Sequence, residues 1–336
     1  MRHRPDEIDE SGLCRALSAW NIEATALSHV PLGFGDHHWT AEGAGGERWF
    51  VTVSDLAAKY HCGIGVAAAR DGLRRAMDTA AALADAGLGH ADGGFVVAPL
   101  RTARGETLGD LGDLGDRHAV AVFPWLEGTA GDFGDEPDPA ERAATLGLLA
   151  ALHRSAPPAA ARTLPPGLSA RDRLERTLRA TGEPWHGGPR SEPARALLAE
   201  YAPAVRRSLD DFDRLAAEVR DRAATPVLTH GEPHPGNLLR QGDRRLLLDW
   251  DTAGLAVPER DLWLVARDDT DLGLYEELAG RRPDPAALAL YRLRWSLEDL
   301  DDFLVRFRSP HTAEPDTEEA WQGFTDTVKD LGTQGP

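Results

Sequence analysis

The stretch HGEPHPGN, His230 to Asn237, restricts the fold of this chain more than any other part of the sequence. Gly231, Pro233, Pro235 and Gly236 exclude a helix or a central strand here and demand a structured loop. PVLTH runs into it as a strand. NLLR and RLLLDW follow as short apolar runs around QGDRR, the pattern of a hairpin turning at Gly242. Such a hairpin carries Glu232, Asn237 and Asp249 to one end. Two carboxylates and an amide, all oxygen donors, suit Mg²⁺ held together with substrate phosphates.

Phosphoryl transfer needs those parts: a carboxylate that orients the attacking hydroxyl, and an Asn and an Asp that hold metal on nucleotide phosphates. The spacing from Glu232 to Asn237 equals the Asp-to-Asn spacing of the protein-kinase catalytic loop, H-R-D-x-x-x-x-N, and Asp249 then stands where D-F-G has its aspartate. Two rival motifs fit poorly. H-E-x-x-H zinc chemistry places its histidines on a helix, which Gly231, Pro233 and Pro235 would break. The haloacid dehalogenase-like signature D-x-D-x-T has its threonine one residue later than Thr252, and it requires a downstream lysine, for which only Lys329 is available.

With HGEPHPGN followed by LLLDWD, the chain resembles the aminoglycoside phosphotransferase and choline kinase-like superfamily. LGLLAALH (Leu146 to His153), PERDLW (Pro258 to Trp263) and PLGFGDHHW (Pro31 to Trp39) extend the likeness over residues 30 to 310, strongest in 229–263. The resemblance implies an α+β, bilobal protein-kinase-like fold, with a β-rich nucleotide-binding lobe over residues 1–126 and a helical lobe over 127–336. It implies ATP or GTP as donor, Mg²⁺ as cofactor, and a small-molecule acceptor. Glu232 would be the catalytic carboxylate, His230 would hold the loop, and His234 would be structural. Asn237 and Asp249 would bind metal, with Asp251 and Asp261 in support. Gly33 and Gly35 would cover the nucleotide, and Trp125 and Leu126 would meet its base at the hinge.

The chain departs from the family pattern at two places. Its catalytic position carries Glu232 in place of aspartate, which moves the carboxylate by about 1.5 Å, a displacement large enough to affect rate. On the strand RWFVTV (Arg48 to Val53), the family's phosphate-binding lysine is replaced by Thr52, whose acidic partner would be Asp78. Arg48, Lys59 or no residue at all then grips the α- and β-phosphates.

The rest of the chain supports a strand-rich start and a helical remainder. Leu73 to Leu88 has helical spacing, and FVVAPL (Phe95 to Leu100) and HAVAVFPWL (His118 to Leu126) read as strands, the latter stopped by Pro124. A Gly/Asp/Pro loop, Gly128 to Pro139, precedes helices over 141–155, 170–181 and 193–220. A second helical block runs from Pro258, broken at Arg281 to Pro285. In RLRWSLEDLDDFLVRFRSPH, Trp295, Glu298, Asp299 and Asp302 share one helical face. They form either a solvated acidic face or a surface suited to an amine-bearing acceptor through ion pairs and cation–π contact.

The net charge of −18 argues against nucleic acid or an anionic membrane as the main partner; it serves solubility alone or draws a cationic substrate. Only Lys59 and Lys329 are lysines among 37 basic residues, the mark of a GC-rich coding sequence. No apolar run reaches the roughly 20 residues of a membrane span. A charged N-terminus and two cysteines point to a cytoplasmic setting, with the chain a monomer or homodimer. The expected activity is a kinase of an aminoglycoside or similar cationic natural product, as in antibiotic resistance. The alternatives are a kinase of a metabolite such as an amino alcohol or sugar, and a non-catalytic, pseudokinase-like binder.

Overall fold

A computed structural model describes residues 4–5, 7–33, 35–222 and 224–333, without the side chains of Asp113 and Leu114. The architecture is α+β, strand-rich at the N-terminal end and helical towards the C-terminus. Two compact units are formed, Met1–Leu164 with Pro226–Arg282, and Pro165–Thr225 with Pro283–Pro336. The lobe boundary expected at 126/127 lies within the opening stretch of the first unit, Met1–Leu164.

The first unit begins with helix α1 (Glu10–Leu17), which sequence reading had passed over. An antiparallel sheet follows, made by β1 (Ala24–Val30), β2 (His37–Gly43), β3 (Arg48–Asp55), β4 (Gly109–Asp110) and β5 (His118–Pro124), in the order β1-β2-β3-β5-β4. Alternation along the strands gives the sheet two apolar faces. Val51, Val53, Val120 and Val122 pack with Leu13, Leu17 and Trp39. Ala119 and Ala121 pack with Leu73 and Met77 of helix α2 (Val66–Leu83). FVVAPL is not a ladder strand. Its amides reach three separate carbonyls, Val96 to Leu88, Val97 to Leu247 and Leu100 to Val122, so it is a connector that Pro99 keeps from pairing regularly.

After β6 (Thr129–Ala130), helix α3 (Pro139–Arg154) starts at a capping box between Asp138 and Glu141. The second unit then supplies α4 (Arg171–Arg179) and the long α5 (Ser191–Asp221). The chain re-enters the first unit at β7 (Val227–Thr229), followed by the hairpin β8 (Leu238–Gln241) and β9 (Arg244–Leu247), which turns at Gly242 as its sequence predicts. Strand β10 (Gly254–Ala256) pairs with β7, and helices α6 (Glu259–Val265) and α7 (Asp269–Ala279) complete the unit. Helices α8 (Pro285–Arg308) and α9 (Pro315–Thr333) return to the second unit and pack with α5. Their core includes Leu209, Phe212, Leu300, Phe307 and Phe324. Among the described residues, no helix is long and apolar enough to cross a membrane.

Candidate active site

Trp250 anchors the site. It is fully buried with Leu152, Leu228, Leu238 and Leu247, and burying a side chain of that size stabilises by roughly 2–3 kcal/mol or more. Its indole N–H donates to the Leu247 carbonyl at 3.0 Å, and its ring meets the His230 ring edge-on at 4.7 Å. Asp249 and Asp251 flank this anchor. Asp249 has φ 54°, a left-handed conformation that aspartate tolerates better than most residues. The amide of Leu248 donates to the Asn237 carbonyl at 2.9 Å, so the two expected metal ligands come from paired segments of the hairpin base.

The loop itself hangs from Asp261 on α6. One carboxylate oxygen accepts the His230 amide at 2.9 Å and His153 Nε2 at 3.0 Å; the other accepts the Gly231 amide at 2.6 Å. Behind it, His153 Nδ1 meets the Tyr275 hydroxyl at 2.7 Å. Burial would raise the Asp261 carboxyl, but the His153 hydrogen bond and the positive charge of Arg260 hold it below the usual aspartate range. Gly231 has φ 106°, and a Cβ there would strike the Arg260 guanidinium at 2.4 Å, so both conformation and space require glycine.

His230 donates from Nε2 to the Leu248 carbonyl at 2.7 Å and accepts the Glu232 amide on Nδ1 at 3.3 Å. That pair of partners selects one neutral tautomer, and burial lowers its pKa accordingly. Asn237 Nδ2 donates to the Glu232 carbonyl at 3.0 Å and lies 3.2 Å from His234 Nε2. Burial holds His234 down to about 4, neutral as a structural residue should be.

Charge is concentrated here in a way the motif alone does not reveal. Lys59, on the loop after β3, is 7% exposed and pairs with Asp36 at 2.8 Å and with Asp251. His61 Nε2 meets the same Asp251 oxygen at 3.0 Å. Burial opposes the charged forms of Asp251 and Lys59, yet mutual attraction drives Asp251 well below, and Lys59 well above, their ordinary values, and the Asp251 charge raises the more exposed His61 as well. Asp249 and Glu232 are raised instead, by desolvation and by the Asp251 charge. Asp249 keeps solvent access, so its carboxylate neighbours are the more important cause. Among the described residues, four carboxylates thus face the Lys59 ammonium and the His61 ring.

Residues 40–318 match the phosphotransferase enzyme family model. The chain belongs to that family. It is 28% identical over 314 residues to Protein StrN of Streptomyces griseus, covering 88% of this chain and 90% of the relative. Among solved structures it is similar to spectinomycin phosphotransferase APH(9)-Ia in complex with ADP and spectinomycin (TM-score 0.72, 16% identity, 96% and 97% of the two chains). It also resembles the microcompartment-associated aminopropanol kinase (TM-score 0.60, 18% identity, 96% and 97%). At these identities the solved structures establish the kinase-like fold.

In this phosphotransferase the structure brings His230, Glu232, Asn237, Asp249, Asp251 and Asp261 together as described above. It does not join Thr52 to Asp78. Thr52 Oγ1 lies 3.1 Å from His38 Nδ1, whereas Asp78 accepts from Thr107 and from Arg74 one helical turn away. Asp78 is thus spent on Thr107, just before β4, and on its own helix. Gly33 and Gly35, at φ 70° and 104°, shape the turn between β1 and β2; Phe34 between them lies outside the described residues. Trp125 is covered by the Arg48 guanidinium at 4.7 Å and donates to Glu127, while Leu126 packs beside Val97 and Leu239. In the second unit, Trp295, Glu298, Asp299 and Asp302 all lie on α8, where Glu298 is paired with Arg294 at 3.0 Å. Asp301, which sequence reading did not select, is buried against Arg173.

Asp36 and His61 were missed as site residues. Asp36 follows the glycine turn directly, and Lys59 is one of two lysines. Those were the available signals.

Proposed function

We propose that this phosphotransferase moves the γ-phosphoryl group of ATP or GTP to a hydroxyl of a small molecule, with an aminoglycoside or similar cationic natural product as favoured acceptor. The observation that carries the reading is the loop suspended from Asp261, which presents Glu232 and Asn237 beside Asp249. The acceptor oxygen bonds to the γ-phosphorus as the bridge to the β-phosphate breaks. The nucleoside diphosphate leaves, and the hydroxyl proton passes to the Glu232 carboxylate. His230 and Asp261 fix the loop, and Asp251 is held by its cations. Gly33, Gly35, Trp125 and Leu126 border the nucleotide. Trp295, Glu298, Asp299 and Asp302 supply acceptor recognition.

The residues present fit Mg²⁺. Asn237 and Asp249 offer only oxygen donors, and the crowding of carboxylates that raises Asp249 is relieved by a cation. Bound there, Mg²⁺ would neutralise charge on the donor phosphates. The net charge of −18 supports an acceptor that carries amines, and an amino alcohol of metabolism shares that chemistry.

The test is a panel of aminoglycosides, other amine-bearing natural products, amino alcohols and sugars, each incubated with ATP or GTP and Mg²⁺. Nucleoside diphosphate release and acceptor mass are read together. A product heavier by one phosphoryl group is expected for a cationic acceptor. Nucleotide binding with no phosphorylated product across the panel would sink the reading in favour of a binding protein.

A further inference from the structure

Thr52 leaves β3 without a cation for the donor phosphates, and the basic groups near the site divide clearly. Arg48 lies at the opposite end of β3 from Asp55, paired with Glu127 and stacked on Trp125. Arg260 is committed to Thr229 Oγ1 and the Thr252 carbonyl, both at 2.9 Å. Arg162 donates to the Cys62 carbonyl at 2.9 Å. Among the described residues, Lys59 alone extends an ammonium into the cluster of carboxylates, touching Asp36 beside the glycine turn and Asp251 two residues from Asp249.

We propose that Lys59, on the loop after β3, is the relocated phosphate-binding cation of this enzyme, exchanging its Asp36 contact for the donor's α- and β-phosphates. The assignment rests on the functional reading above. Three observations carry it.

The loop is built to hold position. Gly72 of α2 lies so close that a Cβ would meet the Cys62 carbonyl at 1.9 Å, and Cys62 Sγ lies 3.6 Å from the Asp251 carbonyl. A backbone clamped on both sides delivers the ammonium with little freedom to lose. Next, the ammonium has two carboxylate partners, Asp36 directly after the glycine turn and Asp251 on the segment that carries Asp249. A polyphosphate entering between those segments competes for the ammonium directly. Last, in a chain whose basic residues are arginine at 35 positions of 37, this buried position keeps a lysine. An ammonium is a compact charge with three rotatable donors that several acceptors can share, whereas a guanidinium offers a fixed planar fork.

The experiment measures binding rather than turnover. Wild type and K59M are titrated by calorimetry with ATP, ADP and adenosine in Mg²⁺, and with GTP, GDP and guanosine in parallel. Loss of one charged phosphate contact weakens nucleoside tri- and diphosphate binding roughly ten- to a hundredfold, with nucleoside binding unchanged. Adding T52K to K59M, which returns a lysine to the strand, restores part of the loss. If K59M binds the phosphorylated ligands as tightly as wild type, or loses the nucleoside by the same factor, Lys59 is only a structural clamp. Because K59M strips two carboxylates of their partner, D36N/K59M is read in its place should K59M fail to fold. Failure of both to fold also overturns the assignment. A wild type that binds neither nucleotide overturns the functional reading itself, a result distinct from any failure of Lys59.

Discussion

Asp249 shows how one residue can combine two requirements. Its carboxylate is the proposed metal ligand, and its backbone sits at φ 54°, where an alanine is strained by about 1–3 kcal/mol and an asparagine is not. D249N is therefore expected to fold as wild type, with its melting temperature little changed, while phosphoryl transfer falls by about a thousandfold or more as the metal's charge stabilisation is lost. D249A loses the same activity and some stability besides. Denaturation curves for the two variants, set beside their turnover, check this; retained transfer in D249N would remove Asp249 from the metal site. Asp249, Glu232 and Asn237 were legible in the sequence because the chemistry lies within one loop and hairpin. Lys59 and Asp251 stand 192 positions apart, and no local spacing encodes their meeting. An aspartate after a glycine turn is too common a pattern to single out Asp36, and a histidine two residues after a lysine says nothing of where His61 points.

At the scale of elements, α6 matters chiefly through Asp261, which ties α3 and the catalytic loop to a single carboxylate. Replacing it with asparagine leaves one oxygen where two were accepting, at a cost of roughly 3 kcal/mol at neutral pH. The folded carboxyl lies below its ordinary value, so its contribution is complete above the unfolded pKa of about 3.9. It is lost as pH falls through the folded pKa. The stability gap between wild type and D261N is expected to be constant from pH 7 to about 5 and to narrow below 4, as measured by denaturant titration at each pH. A gap that widened on acidification would mean that the protonated side chain is the stabilising form. Most of the helices were readable from their periodicity and caps, and the β8–β9 hairpin from its turn. FVVAPL was misread because β-branched content signals extended backbone without saying whether a neighbour supplies a ladder. Helix α1 is short and begins in a charged segment, so its apolar stripe of Leu13 and Leu17 was too brief to register.

For the whole molecule, a net charge of −18 concentrates cations near the surface, with a reach of about 10 Å at 0.1 M salt. KM for a cationic acceptor is expected to rise several-fold between about 0.05 and 0.5 M salt, while KM for a neutral acceptor stays level. Steady-state kinetics at constant Mg²⁺ would show it, and equal salt response for both acceptors would leave the acidic surface with no part in recruitment. The fold class was legible at this scale, since strands precede helices along most of the chain. The unit boundaries were not, because a chain that departs at residue 165, returns at 226 and departs again after 282 keeps the same helical texture on both sides of each crossing. That double departure has a genetic consequence. No single crossover between related genes can exchange the helical unit whole, since its two stretches bracket the codons of the catalytic loop. Exchanging the unit whole takes separate events on either side, whereas point changes in α4, α5, α8 and α9 leave the codons of the phosphate chemistry between them intact.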